Sequence, residues 1–124
     1  MVGRREDVLE EACKAIGASA AFIAADITHL DEAPKIVSEA EAAFNSSISI
    51  LVNNAGLHLK KSVVNTQLDD FHSILNTHVI AAHALTRAVL PGMLDRKHGS
   101  ILFTASMASL IGLPDVCAYS AAKS

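Results

Sequence analysis

"ISILVNNAG", residues 48–56, decides how the rest of the chain is read. A short apolar run leads directly into two asparagines and a glycine. A run of that length with abrupt boundaries fits a buried strand opening into a polar turn. Two other stretches have the same form. "AAFIAAD", residues 20–26, ends on Asp26, and "GSILFTAS", residues 99–106, ends on Ser106.

Helical spacing fills the intervals. "REDVLEEACKAIG", residues 5–17, puts Val8, Leu9, Ala12 and Ile16 on one stripe, with Gly17 as the stop. "LDEAPKIVSEAEAAF", residues 30–44, does the same with Ile36, Val37, Ala40 and Phe44, and Pro34 fits an early turn. "LHLKKSVVN", residues 57–65, reads as loop. Thr66 with Asp69 resembles a capping box before a long helix carrying Leu68, Phe71, Leu75, Val79, Ala82 and Val89, which is expected to end near "LPGML". "MASLIGLPDVCA" reads as loop, and "YSAAK" opens a last helix. Strands separated by helical crossovers imply an α/β chain with a parallel sheet covered on both faces.

The totals suit this class. The chain has 124 residues, enough for one small domain, and 51% hydrophobic residues, a globular composition. A net charge of -3 with interspersed signs offers no basic stripe for nucleic acid. No apolar run reaches the roughly 20 residues of a membrane span, and "MVGRREDVLEE" has no secretory h-region. Two isolated cysteines, Cys13 and Cys117, read as reduced thiols, so a cytoplasmic location is expected. The histidines show no metal-binding spacing.

Tyr119 is the only tyrosine, and Lys123 follows it by four residues. On a helix the two share a face. A free phenol, with a pKa near ~10, is a poor base at neutral pH, and a neighbouring ammonium favours the phenolate. Such a pair can exchange a proton with a carbonyl/alcohol couple. Ser106, at a strand end where parallel sheets carry ligands, could hold the substrate oxygen. Read alone, a tyrosine and lysine at this spacing is also an ordinary feature of a helix surface.

The ordered set "NNAG" (Asn53–Gly56), "TAS" (Thr104–Ser106) and "YSAAK" (Tyr119–Lys123), with "DIT" from Asp26 and "LTRAVLPGML" in the long helix, resembles a short-chain dehydrogenase/reductase. The resemblance covers nearly all of the chain. It implies a doubly wound Rossmann-type domain over residues 1–124, built on the family's third, fourth and fifth strands. It implies hydride transfer between a nicotinamide cofactor and a small carbonyl or alcohol. Tyr119 would be the acid/base, Lys123 the ribose ligand and modulator of the phenol, and Ser106 the group orienting the substrate oxygen. Asp26 and Ile27 would meet the adenine, and Asn54, Ala55 and Gly56 the adenosine ribose. Arg4 stands where NAD users tend to carry an acid, and a guanidinium suits a 2′-phosphate, so NADP is expected over NAD. The alternative is that Arg4 and Arg5 are solvated residues at a helix start. The 66–90 helix resembles the family's dimer-forming helix, which implies a homo-oligomer.

The chain departs from the family in three places. His78 occupies the position of an asparagine that assists proton relay, as a site residue or as a packed one. The glycine-rich phosphate turn has no counterpart here. Nothing follows Lys123 but Ser124, so the resemblance implies about half of a family domain. Such a piece is expected to lack turnover alone, and a second reading makes it a partner-binding module. "VGRRED" resembles the end of the family's second strand, so at most a stub of that strand is expected; in the strand order 3-2-1-4-5-6, the 20–26 strand would then have no neighbour in its native place and would stand roughly 14 Å from the 48–56 strand. It is then expected to collapse onto that strand or leave the chain unstable.

Overall fold

The computed structural model describes residues 1–124. Its first helix, α1 (Glu6–Ile16), starts with Glu6 and Asp7 against the positive end of the helix dipole. It stops at Gly17, whose φ of +93° favours glycine and whose N–H donates to Cys13 O at 2.8 Å. Helix α1 crosses between two short parallel strands, β1 (Val2–Gly3) and β2 (Ile23–Ala24). Val2 pairs with Ile23 and Gly3 with Ala24. The ladder is extended by Ile23 N to Met1 O and Ala25 N to Gly3 O, each 2.8 Å.

This pairing corrects the expectation that the 20–26 strand has no neighbour. Val2 and Gly3 supply one. The 20–26 strand also does not collapse onto the next strand. A turn at Leu30–Glu32 leads into α2 (Ala33–Phe44), with Pro34 in the first turn, where its missing N–H costs nothing. Helix α2 packs against β2 on one side and α4 (Ala81–Asp95) on the other, and α4 packs on β3 (Ile50–Asn53). The helical layer therefore holds two sheets in separate places.

The second sheet pairs β3 in parallel with β4 (Ser100–Phe103), in register from Ile50 with Ser100 to Asn53 with Phe103. Between them lies one helical rod with three parts. Helix α3 (Leu68–Leu75) runs into a π turn, Asn76–Ile80, and then into α4. The cap is one residue later than expected: Asp70 Oδ2 accepts from Gln67 N at 3.1 Å, so the pair is Gln67 and Asp70 rather than Thr66 and Asp69. The Thr66 hydroxyl instead donates to Ser62 O at 2.9 Å. Pro91 lies inside α4, which continues to Asp95. The last helix, α5 (Cys117–Lys123), opens two residues before Tyr119. No helix is long and apolar enough to cross a membrane.

Eleven of 124 residues are buried, and most of these lie between helices, among them Ile36, Ile74, Ala81, Ala82, Val89 and Met93. The sheets contribute little to this core. Ile50, Val52, Leu102 and Phe103 are 49–61% exposed, so much of the apolar surface of the second sheet meets water.

Candidate active site at the carboxyl ends of the strands

All four strands are parallel within their sheets, and the residues singled out in the sequence follow their carboxyl ends. Arg4 follows β1, Asp26 and Ile27 follow β2, Asn54 to Gly56 follow β3, and Thr104 follows β4. The chain leaves a parallel strand with its next backbone groups unpaired, which makes this edge the natural place for a ligand.

The structure gathers these residues into two adjoining cavities. The first, about 200 Å³, is lined by Arg4, Asp26, Ile27, Ala55 and Gly56, with Thr28 beside them. Asp26 Oδ1 accepts from the backbone N–H of Thr28 at 3.0 Å and from its hydroxyl at 2.7 Å. These two bonds, with a smaller contribution from the Arg4 guanidinium, hold the Asp26 carboxyl below the usual carboxylate range. Arg4 Nη1 lies 3.8 Å from Asp26 Oδ2, and the Arg4 side chain is 68% exposed. The cation is therefore steered by Asp26 while remaining open to a ligand.

The second cavity, about 220 Å³, shares Gly56 and Leu57 with the first. Asn54, His58, His78, Thr104, Tyr119 and Lys123 line it. Lys123 Nζ donates to Thr104 O at 2.6 Å and sits 6.0 Å from the centre of the Tyr119 ring. Thr104 in turn donates through its hydroxyl to Asn54 Oδ1 at 3.0 Å, which ties the ends of β3 and β4 together. The Ser109 hydroxyl donates to the Lys123 carbonyl and anchors the end of α5.

His78 enters this cavity from the π turn. Its Nε2 is 3.0 Å from Leu57 N and 2.8 Å from Leu57 O, so it serves as acceptor or donor according to its tautomer. Its Nδ1 is buried without a partner. The ring meets Tyr119 edge-on, with centroids 5.5 Å apart. It also presses on Gly56: a Cβ there would overlap His78 Cε1 and stand 3.0 Å from its Nδ1, so a side chain fits only if the imidazole moves. His78 thus lines this cavity while its ring also packs on Gly56 and Tyr119.

Ser106 is not brought into the cavity. Its hydroxyl accepts from Ala108 N at 3.2 Å and caps the turn Met107–Ser109. Conversely, the sequence reading missed His58, Leu57 and Thr104 as lining residues. Thr104 stood in a quoted motif, which was a usable signal. His58 gave none, because a histidine in a loop has no periodicity to place it.

The donor set fits a nicotinamide dinucleotide at both ends. A cation with a neighbouring carboxylate and an apolar Ile27 suits the adenosine end, and a phenol with an ammonium suits the end where protons move. The chain offers no glycine-rich turn for the pyrophosphate between them.

Comparison with known proteins identifies the family. The family model described as "short chain dehydrogenase" matches residues 1–124. A ketoacyl reductase, HetN, from Nostoc is 34% identical over 98% of this chain and 43% of its own length. An inactive 2-(S)-hydroxypropyl-CoM dehydrogenase 2 from Xanthobacter autotrophicus is 34% identical over 99% of this chain and 53% of its own. The crystal structure of NAD+-bound xylitol dehydrogenase superposes with a TM-score of 0.89 at 28% identity, covering 98% of this chain and 48% of that one. The chain spans about half the length of the curated relatives it matches.

Proposed function

This chain belongs to the short-chain dehydrogenase/reductase family, and from that premise we propose that it forms the nucleotide and acid/base portion of an NADP-preferring oxidoreductase acting on a carbonyl/alcohol couple. The observation that carries the reading is the second cavity, where Tyr119 and Lys123 stand together at the ends of β3 and β4. Arg4, Asp26, Ile27, Asn54, Ala55 and Gly56 would hold the adenosine half of the cofactor. Lys123 and Tyr119 would hold its other end. Such a cofactor, when bound, supplies or takes up hydride.

The chain's own residues supply the proton chemistry. The Tyr119 hydroxyl gives its proton to a carbonyl oxygen during reduction and takes it back from an alcohol during oxidation. Lys123 brings its positive charge to the same cavity, 6.0 Å from the centre of the phenol ring. His78 clamps the backbone of Leu57 and meets the phenol ring edge-on. In this reading Ser106 would have to turn out of its capping bond to orient the substrate oxygen.

The cofactor preference rests on Arg4. Related structures carry either NAD+ or NADP. An exposed guanidinium with only one distant carboxylate retains donors for a 2′-phosphate. Titration with NADPH and with NADH, followed by nicotinamide fluorescence, tests this. NADPH should bind more tightly, and Arg4→Ala should remove most of that difference. Equal affinities would overturn the NADP preference, and no binding of either would overturn the nucleotide site.

The 124 residues alone should show negligible turnover, since they hold no pyrophosphate turn. NADPH-dependent turnover that disappears in Tyr119→Phe would contradict this. A second reading, a non-catalytic module that pairs through the 66–90 helix, is favoured by the placement of Ser106 and by the inactive relative. Two free cysteines suit a reducing, cytoplasmic setting for either form.

A further inference from the structure

The Tyr119 ring lies between two imidazoles. His78 meets it on one flank at 5.5 Å, and His58 on another at 5.2 Å with the planes tilted by 55°. The two histidines differ in what their nitrogens do. His78 commits Nε2 to the backbone of Leu57. That clamp fixes the residue immediately before His58. His58 is exposed, lines the cavity, and engages no protein group through either ring nitrogen. Packing alone would not need a polar ring there, and the ring lines the cavity that Tyr119 and Lys123 share.

From this geometry, and resting on the reading of Tyr119 as the acid/base, we infer that His58 is a specificity-determining residue that binds a carboxylate oxygen of the substrate. If the reacting oxygen meets the Tyr119 hydroxyl, the rest of a short substrate lies in the cavity that His58 also lines. An oxygen three bonds from the reacting carbon lies roughly 3–4 Å from it, within reach of an imidazole placed there. The charge of the cavity selects a carboxylate. Lys123 lines it, and no aspartate or glutamate does. The preferred substrates are therefore short keto or hydroxy acids with the carboxylate one carbon removed from the reacting centre.

Tyr119 is the only tyrosine, so its ring resonances report directly on any molecule entering the cavity. We would titrate the full chain with 3-hydroxybutyrate and with 2-butanol, which lacks the carboxylate, and follow those resonances by NMR. The hydroxy acid should half-saturate at a concentration roughly three- to tenfold lower, the range of one hydrogen bond. His58→Phe, which keeps a ring against Tyr119 but removes the polar nitrogens, should erase most of that preference. His58→Gln should retain part of it. Equal half-saturation by the two probes, or a preference undiminished in His58→Phe, would overturn the inference while leaving the Tyr119 reading intact. If neither probe moves Tyr119, the reading of the cavity fails, and the role of His58 falls with it.

Discussion

At the residue scale, Gly56 is constrained by the His78 ring packed against it. It has no side chain, and the His78 ring occupies the place where one would be. Gly56→Ala should push His78 off Leu57 and disturb its edge-on contact with Tyr119. Overpacking of this kind costs about 1–3 kcal/mol, so the melting temperature should fall and the Tyr119 resonances should shift. Asp26 gives a second test. Its carboxyl is held low mainly by the two bonds from Thr28, so the charged form is favoured in the folded chain. A depressed carboxyl contributes stability that is present above its ordinary value of 3.8 and is lost as pH falls through the folded value. Melting temperature against pH should therefore fall more steeply below pH 4 in the native chain than in Asp26→Asn. Parallel curves would show that Thr28 does not stabilise the ionised form.

At the element scale, the π turn at Asn76–Ile80 is the feature with consequences. One extra residue in the turn breaks the regular succession of side chains, and such bulges recur at functional sites. Here it accompanies the presentation of His78 toward β3 while α4 still packs on α2. The sequence gives no hint of it, because the apolar spacing reads as helix on both sides. The junction of α4 and β4 is the other constrained place. A Cβ on Gly99 would stand 2.5 Å from both Cγ and Sδ of Met93 and 2.8 Å from its Cβ, and Met93 is buried. Gly99→Ala should destabilise the chain by about 1–3 kcal/mol, read as a lowered urea midpoint with an unchanged slope. An unaltered midpoint would mean that the turn yields freely.

At the scale of the whole molecule, surface area tells the most. A folded 13.0 kDa chain is expected to expose about 6,300 Å², and this one exposes 8174 Å². The excess, about 1,900 Å², goes with the uncovered face of the second sheet and with α1, which buries none of its residues. Protection should therefore be uneven. Amide hydrogen exchange should be slowest in β3, β4 and α4 and fastest in α1 and β2. Thermal unfolding of the isolated chain should be broad. A single sharp transition with uniform protection would show that the two sheets fold as one unit.

What the sequence determined by itself was local and periodic. Apolar runs ending in Asp26, Asn53 and Ser106 gave the strands, helical stripes gave the crossovers, and Tyr119 with Lys123 gave a shared helix face. These readings held because backbone geometry fixes which side chains share a face. Tertiary structure decided what depends on neighbours distant in sequence. It paired Val2 and Gly3 with β2, because two residues suffice for a ladder once α1 returns the chain. It moved the cap to Gln67 and Asp70, where Lys61 also reaches Asp70 at 2.7 Å. It turned Ser106 into its own loop, since a free hydroxyl binds the nearest unpaired amide. It set two histidines against one tyrosine, a meeting of residues 58, 78 and 119 that no periodicity within a single segment can encode.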